Sequence, residues 1–196
     1  MTRKSKVNGK PSGPWNNWYH CMGHTYGTWL PGDSRGFRTR HHREHVEGDY
    51  ENPPPKGAYG SINASAKDLM KRDPIYLSVE QRTLVVRLLV ESLQRRKLEV
   101  AVACVTDVHF HILAKIPDHN PRHWVGVAKK ESAHHAKQVN LAALGGLWAV
   151  RSKSLPIRDR GHQINSAKYI FDHRLQGGSV WYAGKMLPIR FGRERR

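Results

Sequence analysis

The stretch VHFHILAKI, Val108 to Ile116, limits what this chain can fold into more than any other segment. Its even positions, Val108, Phe110, Ile112, Ala114 and Ile116, are all apolar, and its odd positions are His109, His111, Leu113 and Lys115. A period of two marks a strand, because successive side chains leave a strand on opposite faces. The even set is expected in the core. The two imidazoles are expected side by side on the other face, roughly 7 Å apart, near enough to converge on one cation. The apolar run LEVAVACV, Leu98 to Val105, reads as a buried strand just before it. Only Thr106-Asp107 separates the two, so they are expected to pair antiparallel. With 13 His in 196 residues, an H-x-H pair arises about once by chance. Two exposed strand histidines are therefore the plain alternative, and the strand's setting, more than the motif, points to a site.

Around this pair the chain alternates strands and helices. Asn17 to Leu30 is rich in aromatics and Thr and favours a strand, closed by Pro31-Gly32-Asp33. Ser34 to Tyr59 is polar, Pro-rich and without period, and reads as an inserted loop. Ser78 and Gln81 form a capping-box pair, and Leu84, Val85, Leu88, Leu89 and Leu93 recur at helical spacing after it. Asn120-Pro121 starts a second helix, expected to run to about Leu144. Trp148 to Ile157 is expected as a strand, His162 to Gln176 as a helix, and Val180 to Tyr182 as a short last strand. The order predicts an α+β domain over residues 17–187, with an antiparallel sheet and helices on its faces. A flexible basic segment is expected at 1–16, the insertion at about 34–60 and a basic tail at 188–196.

The last helix carries the second functional signal. Ile164, Ala167, Phe171 and Leu175 suggest its apolar side, and Tyr169 falls roughly opposite at about 100° per residue. His173, four residues on, shares the face of Tyr169, which His162 and Ser166 continue. An amphipathic helix with a rim tyrosine is the ordinary alternative. Set against the His109–His111 strand, three imidazoles could hold a divalent cation that polarises a phosphoryl group, and the phenol could attack phosphorus. A free tyrosine has a pKa near 10 and needs a metal or a cationic neighbour to react at neutral pH. Lys115, Lys168 and Arg174 are candidate helpers.

Charge narrows the partner. Lys and Arg number 33 against 16 Asp and Glu, a formal net charge of +17. Such an excess fits a nucleic acid or an anionic surface. No apolar run approaches the roughly 20 residues of a membrane span, and no apolar core follows the basic start MTRKSKVNGKPSG, so neither a span nor a secretory signal is expected. Two cysteines cannot make a disulfide framework and suit a reducing, cytoplasmic setting. Candidate DNA contacts are Arg35, Arg38, Arg40 and Arg43 in the insertion; Lys129, Lys130 and Lys137 on the second helix; and Arg151, Lys153, Arg158 and Lys168 around the last strand and helix. Trp124, Trp148 and Trp181 are candidate base-stacking platforms. His20 and His24 share a face of the first strand and are expected in packing or surface roles.

His109-Phe110-His111 on a strand, followed by a helix bearing Tyr169, resembles the HUH (His–hydrophobe–His) endonucleases, above all the single-tyrosine transposases of small insertion sequences and the REP-associated tyrosine transposases. The resemblance runs from about Tyr19 to Gly178, through TYGTWLPGD ending at Asp33, VACVTDVHFHILAKI, GGLWAVRSKSLPIRD and SAKYIFDH. It implies a four- to five-stranded antiparallel sheet of ferredoxin-like (RRM-like) type flanked by helices. It implies His109 and His111 as metal ligands for Mg²⁺ or Mn²⁺, and Tyr169 as nucleophile. The third ligand position, four residues after the tyrosine and usually Gln or Asn, is His173, a change that leans toward Mn²⁺. The implied activity is transposition: cutting and rejoining of single-stranded, hairpin-forming DNA through a 5′-phosphotyrosine, by a nucleoid-associated monomer or homodimer. The chain departs from the family in lacking Asn-Pro after the tyrosine and in the length of the 34–59 insertion. A basic nucleic-acid-binding module without cleavage, and a replication-initiator nickase, are the competing readings.

Overall fold

The strand pair expected from alternation stands at the centre of the sheet. The structure is a computed structural model that describes residues 13–38, 45–46, 55, 57–138, 146–182 and 185–187. Its elements run β1 (Trp18–Thr25), β2 (Phe37–Arg38), β3 (His45–Val46), α1 (Gly60–Asp68), α2 (Val79–Gln94), β4 (Glu99–Val105), β5 (His109–Lys115), α3 (Pro121–Gln138), β6 (Trp148–Pro156), α4 (Arg160–Asp172), β7 (Ser179–Tyr182) and β8 (Lys185–Leu187). The main sheet has the order β6-β1-β5-β4-β7-β8, and every pairing in it is antiparallel. This is the α+β architecture expected from the sequence, with the three-residue β8 extending the edge beyond five main strands.

Local sequence accounts for most boundaries. Ser78 and Gln81 close a capping box, Gln81 N–H donating to Ser78 Oγ and Ser78 N–H to Gln81 Oε1. α2 then buries Val85, Val86, Leu89, Val90 and Leu93, while Leu84 and Leu88 of the expected stripe are half-buried. Asn120 accepts from His123 N–H at the start of α3. The expected continuation of α3 to Leu144 lies outside the described residues, as do most of the insertion, including Arg40 and Arg43, and the segments 1–12 and 188–196. α1 buries no residue, and nothing apolar and periodic in its sequence announces it.

Two layers of packing flank the sheet. On one face, Phe110, Ile112, Ala114 and Ile116 meet α2 and α3 in the larger core. Trp148 and Trp181 belong to that core at 7% and 8% exposure, so neither is a stacking platform for a base. Their ring area is spent on Phe110 and its neighbours, where burial rewards it most. Trp124 is partly buried, and its indole N–H donates to Asp118. α3 is fixed to its neighbours by polar contacts: Glu131 accepts from Ser92 of α2 and from Arg95 and Arg96 just past its end, and Trp148 Nε1–H of β6 donates to buried Ser132.

On the other face, Trp18, Val102, Cys104, Leu113 and Val180 pack against Ile157 and Ile170. α4 covers only this part of the face. Its buried side is Gln163, Ser166 and Ile170, followed by His173, whereas Ile164 and Leu175 are 53% and 47% exposed. The apolar stripe expected for α4 is thus turned away from the sheet at both ends, with only Ala167 and Phe171 half-packed. Ile170, one position outside that stripe, is the apolar residue the helix sets against the sheet, with Ser166 and His173 buried on the same side. Among the described residues, no helix is long and apolar enough to cross a membrane.

Candidate metal centre

The uncovered part of the second face is lined with histidine. His109 and His111 leave β5 on the side opposite Phe110, as alternation requires. His173 comes from the 3₁₀ turn His173–Leu175 that ends α4. The ligand atoms of the three imidazoles lie within 4.8 Å of one another, and theirs is the one such cluster of His, Cys, Asp or Glu among the described residues. Ring centroids are 4.9 Å apart for His109–His111, 4.8 Å for His111–His173 and 5.3 Å for His109–His173.

Hydrogen bonds orient each ring. His173 Nδ1–H donates to the backbone carbonyl of Tyr169 at 2.9 Å. A carbonyl only accepts, so the proton is on Nδ1 and the Nε2 lone pair is free to ligate. His109 Nδ1 lies 3.0 Å from Thr106 Oγ1. A hydroxyl can donate or accept, so this contact sets the ring's orientation for either tautomer. Thr106 is itself held in the β4–β5 turn, where its oxygen also accepts from the backbone N–H of Val108 and His109. His111 Nδ1 shares a 2.9 Å hydrogen bond with His20 Nε2. All three rings are tethered through Nδ1, as in metal sites whose ligands are oriented from behind.

Burial keeps the two β5 rings and His20 neutral. It lowers His109 to about 4, helped by the charge of His173. It lowers His111 to about 2, with His109, His20 and His173 adding to the effect. His20 is lowered to about 4, again chiefly by burial. At neutral pH these rings are in the form that binds a cation, so no proton need be displaced first. Three convergent nitrogen donors with no carboxylate among them suit a divalent transition metal.

Tyr169 stands at the mouth of the cluster. Its ring is 4.7 Å from that of His173, 5.3 Å from His111 and 6.0 Å from His20. It is 53% exposed. Asp159 caps α4 by accepting from His162 N–H, and His162 Nδ1 in turn accepts from Arg158 N–H. Tyr169 and His173 meet the β5 histidines as expected, whereas His162 is engaged at the start of the helix.

The basic candidates divide. Met22 of β1 lies opposite both His111 and Lys153, so Lys153 shares the histidine face, with exposed Arg151 two residues before it. Arg158 and Lys168 are exposed at the start and middle of this helical side. Arg35 is exposed but pairs with Asp33 and lies over the Trp29 ring at 4.6 Å. Lys130 and Lys137 are exposed on α3, in the layer behind the sheet. Lys129 is buried. Its ammonium donates to the carbonyls of Ala149, Val150 and Arg151, and burial lowers it to about 8. It ties α3 to β6 and presents no surface charge. Arg38 lies in β2. Arg174 of the candidate helpers rests over Phe171.

His20 and Thr106 are the site residues that the sequence reading missed. Trp18, His20, Met22 and His24 alternate onto one face of β1, and that signal was readable. What one sequence does not reveal is that β1 neighbours β5, with His24 opposite His109 and His20 opposite Leu113. That register places His20 diagonally beside His111, with ring centroids 5.0 Å apart.

No known protein family matches the chain's sequence, and no curated protein does. Among solved structures, the chain is similar to a REP-associated tyrosine transposase bound to a REP hairpin. The similarity has 10% identity and a TM-score of 0.46, and covers 88% of this chain and 74% of that one.

Proposed function

We propose that this chain is a metal-dependent enzyme that cuts and rejoins single-stranded, hairpin-forming DNA through a covalent link to Tyr169. The observation that carries this reading is the placement of an exposed phenol against three convergent, tethered imidazoles. Nothing in the maintenance of a core calls for that combination, because buried polar groups are costly to hold. His109, His111 and His173 would hold the ion through Nε2. A divalent ion, Mn²⁺ or Mg²⁺, would supply Lewis-acid polarisation of a phosphate oxygen there. The Tyr169 oxygen attacks phosphorus and its proton passes to water. The bond from phosphorus to the 3′ oxygen breaks, and that oxygen leaves as a hydroxyl after taking a proton. The 5′ phosphate stays on Tyr169, and attack by another 3′ hydroxyl reverses the step, so joining needs no nucleotide cofactor. Lys153, Arg151, Arg158 and Lys168 would bind the backbone beside the phenol.

A binding module without cleavage has one observation in its favour, the net charge of +17, which fits backbone binding with or without chemistry. The two are separated by incubating labelled single-stranded hairpins with Mn²⁺ and running denaturing gels. The enzyme reading expects a protein–DNA adduct with the wild type and none with Tyr169→Phe, while both bind. An adduct with the variant removes Tyr169 from its role. Binding that is salt-sensitive and metal-independent, without adduct, favours the module.

A further inference from the structure

His20 is 7% exposed and stands on β1, outside the cluster that could share an ion. Its Nε2 lies 2.9 Å from His111 Nδ1. For His111 to ligate through Nε2, its single proton must sit on Nδ1. At 7% exposure that N–H needs an acceptor, because a buried donor left unpaired is costly. The nitrogen in place to accept is His20 Nε2, which requires His20 to carry its own proton on Nδ1. We infer that His20 is a positioning residue of the metal centre: by accepting the Nδ1 proton of His111 it turns the Nε2 lone pair of His111 toward the ion shared with His109 and His173. Metal-bound histidines commonly rest against a carboxylate, carbonyl or water. Here a second imidazole takes that part. The same ring stands 6.0 Å from that of Tyr169, so one side chain sits behind the ligand and beside the phenol.

This inference rests on the metal centre proposed above, and its test needs no DNA. Co²⁺ and Zn²⁺ affinities are measured by calorimetry on the full chain for the wild type, His20→Leu and His20→Gln. His20→Leu is expected to bind about 10- to 100-fold more weakly. His20→Gln is expected to recover to within a few-fold, because its amide oxygen accepts the same proton. In the zinc-loaded wild type, nitrogen-15 spectra of the histidine rings are expected to place the His111 proton on Nδ1, a readout that does not depend on a variant folding. Wild-type affinity in His20→Leu, or a His111 proton on Nε2 in the loaded protein, overturns the inference and leaves the metal centre standing. A wild type that binds neither ion overturns both.

Discussion

At the level of single residues, the site depends on how closely backbone approaches backbone behind His173. The His173 carbonyl accepts from Gln176 N–H at 3.0 Å and from Gly178 N–H at 2.9 Å, which folds the chain back on itself before β7. A Cβ on Gly178 would stand 2.9 Å from that carbonyl oxygen and 3.2 Å from the His173 Cβ. The obstacle is backbone, which cannot swing aside like a side-chain end. Gly178→Ala is expected to destabilise the fold by about 1–3 kcal/mol, in the range of overpacked sites. It should also weaken Co²⁺ or Zn²⁺ binding if His173 is a ligand as proposed, because the carbonyl that moves belongs to that residue. Denaturant unfolding and metal titration read the two effects, and a variant with unchanged metal affinity would detach this turn from the site. Gly178 shows where sequence reading stops. Gly177-Gly178 is readable as the end of a helix. That the second glycine faces the His173 carbonyl depends on a contact no local pattern encodes. The His109–His111 pair was legible for the opposite reason, since strand parity is a property of neighbours alone.

At the level of elements, the helices divide the work. α2 and α3 pack the larger core, and α4 carries residues of the candidate site. Between α2 and α3, the Glu131 carboxylate accepts from Arg96, from Ser92 at 2.7 Å and from Arg95 at 2.7 Å. These bonds, Arg96 foremost, pull Glu131 down to about 2 from an ordinary 4.5. A carboxyl depressed in the folded state stabilises it fully above the unfolded value. That contribution is lost as pH falls from about 4.5 toward about 2. Glu131→Gln is therefore expected to cost about 1 kcal/mol at neutral pH, a modest figure because the carboxylate is partly open to water. The gap from wild type should close as pH falls through that window, read by thermal unfolding at several pH values. A constant gap at all pH values would mean that shape, not charge, is what Glu131 contributes. The capping box of α2 and the Asn-Pro start of α3 were legible because caps are local chemistry. The orientation of α4 was not. Its apolar stripe pointed Ile164 and Leu175 inward, but the helix set Ile170 against Val102, Cys104, Leu113 and Val180 and buried Ser166 and His173 on that same side. With one buried apolar residue, Ile170, lying outside the stripe, spacing alone did not single out the face that packs.

For the molecule as a whole, charge and layering together decide where a polyanion can lie. A net charge of +17 attracts DNA to any face, yet the phenol and the histidines open on only one. Lys153 lies on β6 on the histidine side with exposed Arg151 two residues before it, whereas Lys130 and Lys137 lie on α3 behind the sheet. Two layers packed face to face are about 10 Å apart, beyond a screening length of about 8 Å at physiological salt. Cations of the rear layer can therefore raise the rate of encounter but cannot hold phosphates beside Tyr169. Neutralising the front pair, Arg151→Gln with Lys153→Gln, is expected to weaken single-stranded DNA binding roughly tenfold and to flatten the dependence of log affinity on log salt by about 1.4, two contacts at about 0.7 each. Neutralising Lys130 and Lys137 should leave that slope unchanged. Fluorescence anisotropy across a salt series compares the two double variants directly, and equal slopes would mean that DNA does not follow the histidine face. Net charge is a sum and was legible from composition, but its division between two layers exists only once the sheet has placed α3 on one side and the imidazoles on the other.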